Sequence, residues 1–209
     1  MYNAKIHNHI SILSKRHKKF SLIIKKVGTL DYSIPYWASI EDAVVYSVIG
    51  QMLSNVAAHA IITRLFDQLG SSTQIISWAS NTYDKHGPLL GVSQRKRRAL
   101  HEWRQFAKNN NNVWKKWASL ELDDYRKEVC SIWGFGEWTA DMIGIFYLGR
   151  LDIWPRKDTG IMRTCRLVFG VDDPRNIAES IKGCETIAAL YLWALINKNL
   201  LKDFVNEKR

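Results

Sequence analysis

Residues 122–166 read LDDYRKEVCSIWGFGEWTADMIGIFYLGRLDIWPRKDTGIMRTCR, and this stretch decides the fold. Apolar residues recur at helical spacing from Leu122 to Ile132, and a second such stripe begins at Ala140. Between the stripes, the segment 134–136 reads Gly-Phe-Gly and interrupts the periodicity. The pattern therefore predicts a helix, a tight hairpin and a second helix within residues 122–148.

The two glycines of this hairpin leave its backbone N–H groups open to an anion at the start of the second helix. A phosphate of duplex DNA fits such a site without any base being read. An ordinary turn between two helices also uses glycine, so the motif alone does not choose between the two interpretations.

Composition narrows the function classes. The 209 residues are 46% hydrophobic and carry a formal net charge of +10, which is typical of a folded protein that attracts polyanions such as nucleic acid. The longest apolar run, residues 187–196, is about half of what a bilayer requires, and no signal-peptide pattern begins the chain. We expect an intracellular protein that does not enter membranes, with three buried, reduced cysteines.

The whole chain follows the helical pattern, and period-two strand runs are scarce. Ser39 and Ser93 stand where side chains cap helix starts. The predicted helices are 2–26, 40–50, 55–69, 72–80, 93–108, 112–118, 122–132, 137–148, 159–169, 174–182 and 185–198.

Basic residues concentrate in two of these helices, and each group is read either as a solvated face or as a phosphate-binding face. The first contains Lys15, Arg16, Lys18, Lys19, Lys25 and Lys26, and the second contains Arg95, Lys96, Arg97, Arg98 and Arg104.

After the second hairpin helix come Gly149, Pro155 and then Asp158, which heads the segment DTGIMR. In order, spacing and residue type, this stretch resembles the helix-hairpin-helix DNA glycosylase superfamily. Residues 48–54, VIGQMLS, and residues 90–100, beginning LGVS, resemble two further segments of that family. The resemblance spans residues 36–196. It is strongest to the monofunctional alkyladenine branch of the 3-methyladenine glycosylase II type, because Trp138 stands where strand-nicking members have lysine and precedes Asp158 by 20 residues.

The resemblance implies an all-α, two-lobed helical bundle that forms a single glycosylase domain over 1–209, with the active-site cleft between the lobes. It includes a basic N-terminal helix over 1–30 and the helix-hairpin-helix over 122–148. Asp158 is implied as the catalytic carboxylate, which stabilises positive charge on the sugar and directs the attacking water. Asp158 also suits the N-cap of the helix that begins at Thr159, and the two roles are compatible.

The family likewise implies a base pocket and a DNA-binding surface. Aromatic faces stack well on a flipped, electron-poor base, although core packing is the favoured interpretation of any single Trp other than Trp138. The implied pocket residues are Trp138, Trp193, Trp37 and Met142; the last stands where the branch tends to have Tyr, which leaves the substrate range open. Met52 is implied as the wedge that fills the space left by the flipped base, unless it is a helix-contact residue. The implied DNA-binding residues are Gly134, Phe135, Gly136, Thr139, Gln51, Met52, Leu53, Ser54, Ser93, Lys96 and Arg163.

The implied function is hydrolysis of the N-glycosidic bond of a damaged, alkylated purine in duplex DNA, leaving an intact abasic site. Lys157 leaves open a lyase side activity. Two other functions remain: excision of another modified or mismatched base, and DNA binding without catalysis. A basic membrane-surface or regulatory protein would explain the charge but none of the spacing.

We expect a monomer that binds double-stranded DNA and needs no metal or cofactor, apart from the monovalent cation that hairpin carbonyls in this family can hold with DNA bound. The iron–sulfur cysteines of other branches are absent.

Overall fold

The computed structural model describes residues 2–30 and 34–206, and the secondary structure of this part is helical throughout, apart from an isolated bridge between Leu89 and Val92. The expected all-α class is confirmed. The α-helices of the described part are α1 (Tyr2–Arg16), α2 (Lys18–Val27), α3 (Ile40–Gly50), α4 (Asn55–Leu69), α5 (Ser72–Ser80), α6 (Gln94–Asn109), α7 (Val113–Ser119), α8 (Leu122–Cys130), α9 (Glu137–Phe146), α10 (Thr159–Thr164), α11 (Glu185–Asn197) and α12 (Leu201–Asn206).

The chain divides into two compact units that do not follow chain order. The first unit, called here the Asp158 unit, combines the segment before residue 34 with the segment from Arg150 onward. The second, called the hairpin unit, is the continuous segment Ile34–Gly149. In the Asp158 unit, α1, α2 and α10 pack on α11, whose buried face is almost wholly apolar. In the hairpin unit, α3 is the central helix and contacts α4, α5, α6 and α9.

Local sequence signals explain several helix starts. The hydroxyls of Ser39 and Ser93 accept hydrogen bonds from the backbone N–H groups of Asp42 and Lys96, at 3.0 and 3.4 Å. These are the caps that the sequence predicts. They satisfy N–H groups that have no partner within the helix.

The predicted helix 2–26 is wrong as a single element, because the chain breaks at His17. The His17 backbone is extended, and its ring packs edge-on against Phe20 and Phe169 at 5.2 and 5.4 Å. This aromatic contact, which links residues far apart in sequence, accompanies the change of direction between α1 and α2.

Three differences lie near the C-terminus. The predicted helix 159–169 becomes π-helical from Cys165 to Phe169, and the predicted helix 174–182 is two 3₁₀ turns, Pro174–Ile177 and Glu179–Ile181. Short 3₁₀ turns are common as connectors, whereas π-helical segments are rare. Helix α12 has no counterpart in the prediction, because its six residues are too few for a periodic signal.

The cysteines are only partly as expected. Cys165 and Cys184 are buried, whereas Cys130, the last residue of α8, is exposed. Burial raises the pKa of the Cys165 thiol to about 12, so this side chain is an inert core residue. No helix within the described ranges is long and apolar enough to cross a bilayer.

Arg97 corrects the prediction that the basic group of α6 is uniformly solvated or phosphate-binding. Its side chain is fully buried, and its guanidinium donates to the carbonyl oxygens of Thr82, Lys85, Gly87 and Val92 at 2.5–3.0 Å. A planar group with five N–H donors can serve several carbonyls at once, which an ammonium cannot do in this geometry. Arg97 therefore fixes the loop that precedes α6.

The basic group of α1 and α2 is also partly structural. Arg16 donates to the carbonyl of Lys182 at 2.5 Å, and Lys19 donates to the carbonyl of Val168 at 3.0 Å. Lys19 also lies over the ring of Phe169, 5.5 Å from its centroid. These two cations hold the N-terminal helices to the rest of the Asp158 unit, while Lys15, Lys18 and Lys25 are exposed.

We predict that Arg97→Lys lowers the free energy of unfolding by about 2–4 kcal/mol, because it leaves buried carbonyls without donors. Urea unfolding measures this change. The exposed neighbour Arg95 provides the matched control, and Arg95→Lys is expected to change stability by less than about 0.5 kcal/mol. Equal stability of the two variants would contradict the structural role of Arg97.

Candidate active site

Asp158 is the N-cap of α10, as its position in the sequence predicts. Its Oδ1 accepts a hydrogen bond from the backbone N–H of Ile161 at 2.9 Å. The same oxygen accepts one from the indole N–H of Trp193, on α11, at 3.1 Å. Two donors from different helices therefore fix the direction of this half-buried carboxylate.

Trp193 is thus a direct partner of Asp158, a role that the sequence did not indicate. The prediction gave it a base-stacking role through its aromatic face. In the structure its ring is half-buried and its N–H is directed at the carboxylate. The pairing depends on α10 and α11 lying side by side, which local sequence cannot specify.

Gly160 is a second residue that sequence reasoning missed. A Cβ at this position would lie 3.0 Å from Asp158 Oδ1 and 3.2 Å from Ile196 Cδ1. The absence of a side chain lets α10 approach α11 closely beside the carboxylate. A glycine inside a short helix costs about 1 kcal/mol relative to alanine, and that cost was the available signal of a packing constraint.

A cavity of about 630 Å³ lies in the same unit and is lined by the two residues that precede Asp158, namely Arg156 and Lys157. Met162 and Arg175 also line it, and Arg175 is paired with Asp173. Arg163, predicted to bind DNA, is exposed on the last turn of α10. The cavity therefore combines the cations of Arg156, Lys157 and Arg175 with the carboxylates of Asp172 and Asp173.

The hairpin between α8 and α9 is present as predicted. Gly134 has a φ of +83°, and a Cβ there would lie 2.7 Å from the Cβ of Ala99 on α6. Phe135 is buried and stacks on Trp103 with 6.3 Å between ring centroids, so its ring belongs to the core. Gly136 is the N-cap of α9 and faces open space, which leaves the backbone accessible to a ligand.

The turn between α3 and α4, residues 51–54, carries the predicted wedge. Met52 has a φ of +56° and is 95% exposed, so no helix contact holds its side chain. Leu53 is 38% exposed, and Ser54 caps α4 by accepting from the N–H of Ala57 at 3.2 Å. Val56, which the prediction did not include, is 82% exposed and extends the apolar surface of this turn.

Two predicted DNA-binding side chains make internal hydrogen bonds instead of pointing freely outward. The Gln51 amide Nε2 donates to the carbonyl of Gly134 at 2.9 Å and to Thr139 Oγ1 at 3.0 Å. Lys96 Nζ donates to the carbonyl of Ile49 at 2.7 Å, and burial lowers its pKa. Thr139 is 1% exposed, so its hydroxyl faces the protein interior. Ser93, which caps α6, is exposed.

The remaining pocket candidates lie in the hairpin unit. Trp138 is half-buried, and its ring edge lies 3.4 Å from where a Cβ of Gly50 would be. Trp37 packs edge-on against Phe146 at 5.4 Å. Met142 is 6% exposed and belongs to the core face of α9, which limits any contact with a base.

No protein-family model matches this chain. A curated relative, the alkylbase DNA glycosidase-like protein mag2 of Schizosaccharomyces pombe, is 26% identical over 196 residues, which cover 88% of this chain and 90% of the relative. Among solved structures, the S. pombe 3-methyladenine DNA glycosylase Mag1 in complex with abasic DNA is similar with a TM-score of 0.75 and 22% identity, over 89% of this chain and 95% of that one. The chain has the helix-hairpin-helix DNA glycosylase fold.

Two further glycosylase structures agree with this assignment. The DNA-3-methyladenine glycosidase of Bacillus halodurans has a TM-score of 0.70 at 24% identity, covering 90% of this chain and 88% of that one. The 3-methyladenine DNA glycosylase of Archaeoglobus fulgidus has a TM-score of 0.71 at 17% identity, and the match covers 88% of this chain and 67% of that one. These structures share the fold that the resemblance implied for this chain.

We predict that Gly160→Ala displaces the Asp158 carboxylate and lowers the rate of base release about tenfold or more, while KM for DNA changes little. The added methyl group would require Oδ1 to move by a few tenths of an ångström from its native position. Single-turnover kinetics measure the effect. Thr159→Ala, an exposed change in the same helix, serves as the control for altered helix propensity and is expected to keep the native rate. A native rate for Gly160→Ala would contradict the packing argument.

Proposed function

We propose that this protein is a monofunctional DNA glycosylase that releases an alkylated purine from duplex DNA and leaves an abasic site. The observation that carries the proposal is the Asp158 carboxylate, fixed by the Ile161 N–H and the Trp193 indole at the position where the family has its essential Asp. The relatives named as 3-methyladenine or alkylbase glycosylases support the alkylated substrate.

The chemistry follows from the charge that develops on the sugar. As the base departs, the deoxyribose gains positive charge, and a fixed carboxylate stabilises that charge without reorganising. The same carboxylate orients the attacking water and accepts its proton. The two hydrogen bonds on Oδ1 determine which way the carboxylate faces throughout the reaction.

Substrate access requires the nucleotide to leave the base stack, which costs a few kcal/mol and less for a damaged base. The exposed Met52 side chain has the position and apolar character to fill the vacated space. Trp138 offers a half-buried aromatic face on which a cationic alkylpurine can stack. The backbone at Gly136 would receive a phosphate, and the hairpin carbonyls would hold the monovalent cation that the family resemblance implies when DNA is bound.

Trp138 also determines the reaction type. An amine at that position would form a Schiff base with the sugar, whereas an indole cannot. The product is therefore an intact abasic site.

The protein acts as a monomer on the cell's double-stranded DNA, with no metal or cofactor in the chemistry.

We predict that Asp158→Asn folds normally and loses base release. Asparagine keeps an oxygen for the Ile161 N–H but lacks the negative charge that the reaction requires. Mass spectrometry of bases released from methylated duplex DNA compares the wild type with this variant. Trp193→Phe keeps an aromatic side chain but removes one donor to Asp158, and we expect the rate of base release to fall about tenfold.

Release of 3-methyladenine or 7-methylguanine by the wild type alone would establish both the activity and the substrate class. If neither base is released but a uracil, hypoxanthine or 8-oxoguanine duplex is processed, the substrate is that base and not an alkylated purine. Inactivity on every duplex, together with salt-dependent DNA binding, would identify a binding protein without catalysis.

We predict that sodium borohydride traps no covalent protein–DNA adduct during base release. The chemistry needs an amine at the sugar, and Trp138 supplies none. Lys157, which is exposed next to Asp158, is the alternative source of an amine. A trapped adduct that disappears in Lys157→Met would show a lyase activity and overturn the monofunctional assignment.

A further inference from the structure

The wedge turn and the hairpin are joined by a single side chain. Gln51 begins the turn, and its amide nitrogen donates to the Gly134 carbonyl in the hairpin and to the Thr139 hydroxyl in α9. Both distances, 2.9 and 3.0 Å, are ordinary for hydrogen bonds of this type. All three residues belong to the hairpin unit.

The chemistry of these contacts is specific for an amide. Gly134 offers a carbonyl oxygen and Thr139 a hydroxyl oxygen, so two N–H donors on one nitrogen are required. Glutamate cannot provide them, because an ionised carboxylate only accepts. Gln51 is half-buried, whereas the neighbouring Met52 is 95% exposed.

The rest of the turn is fixed in the same way. Lys96 donates to the Ile49 carbonyl at the end of α3, where helix carbonyls have no partner within the helix. The Leu53 N–H donates to the Gly50 carbonyl at 3.2 Å. Met52 is held in the left-handed region, which residues with a side chain adopt only when neighbouring contacts fix them.

We propose that Gln51 is a positioning residue that locks the wedge turn to the hairpin, so that Met52 and the phosphate-binding backbone enter DNA with a fixed spacing. This inference rests on the proposed function. It replaces the expectation that Gln51 itself contacts DNA. The hairpin binds the backbone of the strand, and the Gln51 amide transmits that position to the side chain that replaces the flipped base.

The first test needs no DNA. Gln51→Met has a similar volume but no donor, and hydrogen exchange of the free protein is expected to accelerate in both the 51–54 turn and the 134–136 hairpin. Thermal unfolding should remain within a few degrees of the wild type. Gln68→Met, an exposed change on α4, is the matched control and should change neither. Unchanged exchange in Gln51→Met would overturn the proposal.

The second test uses a duplex that contains a tetrahydrofuran abasic-site analogue. Gln51→Met lacks the connection, so its preference for this duplex over an intact duplex should be about tenfold lower than that of the wild type. Thr139→Val removes one acceptor and should reproduce part of the loss. The double variant should then be no worse than Gln51→Met alone, because both changes break the same contact.

A direct DNA contact gives a different pattern. If Gln51 inserts into the duplex, Thr139→Val binds like the wild type and only Gln51→Met is weakened, which would overturn the proposal. Failure of the proposed function is a separate result. The wild type would then not prefer the abasic duplex, while the hydrogen-exchange comparison would still decide whether Gln51 joins the two segments.

Discussion

The hydrogen bonds that converge on Asp158 Oδ1 are the constraint on which the Asp158 unit depends. One donor comes from α10 and the other from α11, so the carboxylate direction is set by the distance between these helices. That distance in turn requires Gly160, because a methyl group would intrude at 3.0 Å from the oxygen. The apolar α11, most of whose residues are buried, provides the rigid support. The geometry of this carboxylate is a consequence of helix packing, with the cap supplying the local part.

The sequence predicts those features of the structure that depend on residues close together in the chain. Helix positions, the caps at Ser39, Ser93 and Asp158, and the hairpin depend on neighbours three or four residues away, and the sequence specified them. The bond from Trp193 to Asp158 joins residues 35 apart, and no local pattern indicates it. The break at His17 likewise depends on Phe169. The sequence therefore located the carboxylate and its helix cap, but not the Trp193 donor that also holds it.

Charge illustrates the same limit. The net charge of +10 indicates a polyanion partner, but it does not say which cations are available to that partner. Arg97, Lys96 and Lys19 donate to backbone carbonyls of their own unit, where they replace capping or loop contacts. Arg97, which is buried and donates to four carbonyls, adds to the protein's field without being available to a phosphate, whereas the ammonium groups of Lys96 and Lys19 have further N–H donors. The number of phosphates neutralised, and hence the salt dependence of binding, is set by the exposed subset.

Rigidity in the hairpin unit serves a physical purpose. A side chain that must replace a base works best when its backbone is already ordered, because ordering it on binding costs about 1–2 kcal/mol per residue. Met52 is almost fully exposed, yet its φ of +56° lies in a region that few residues adopt. The contacts of Gln51 and Lys96 with Gly134 and Ile49 offset that strain before any ligand is present. The turn thus combines an exposed side chain with a fixed backbone, and the proposed wedge role requires both.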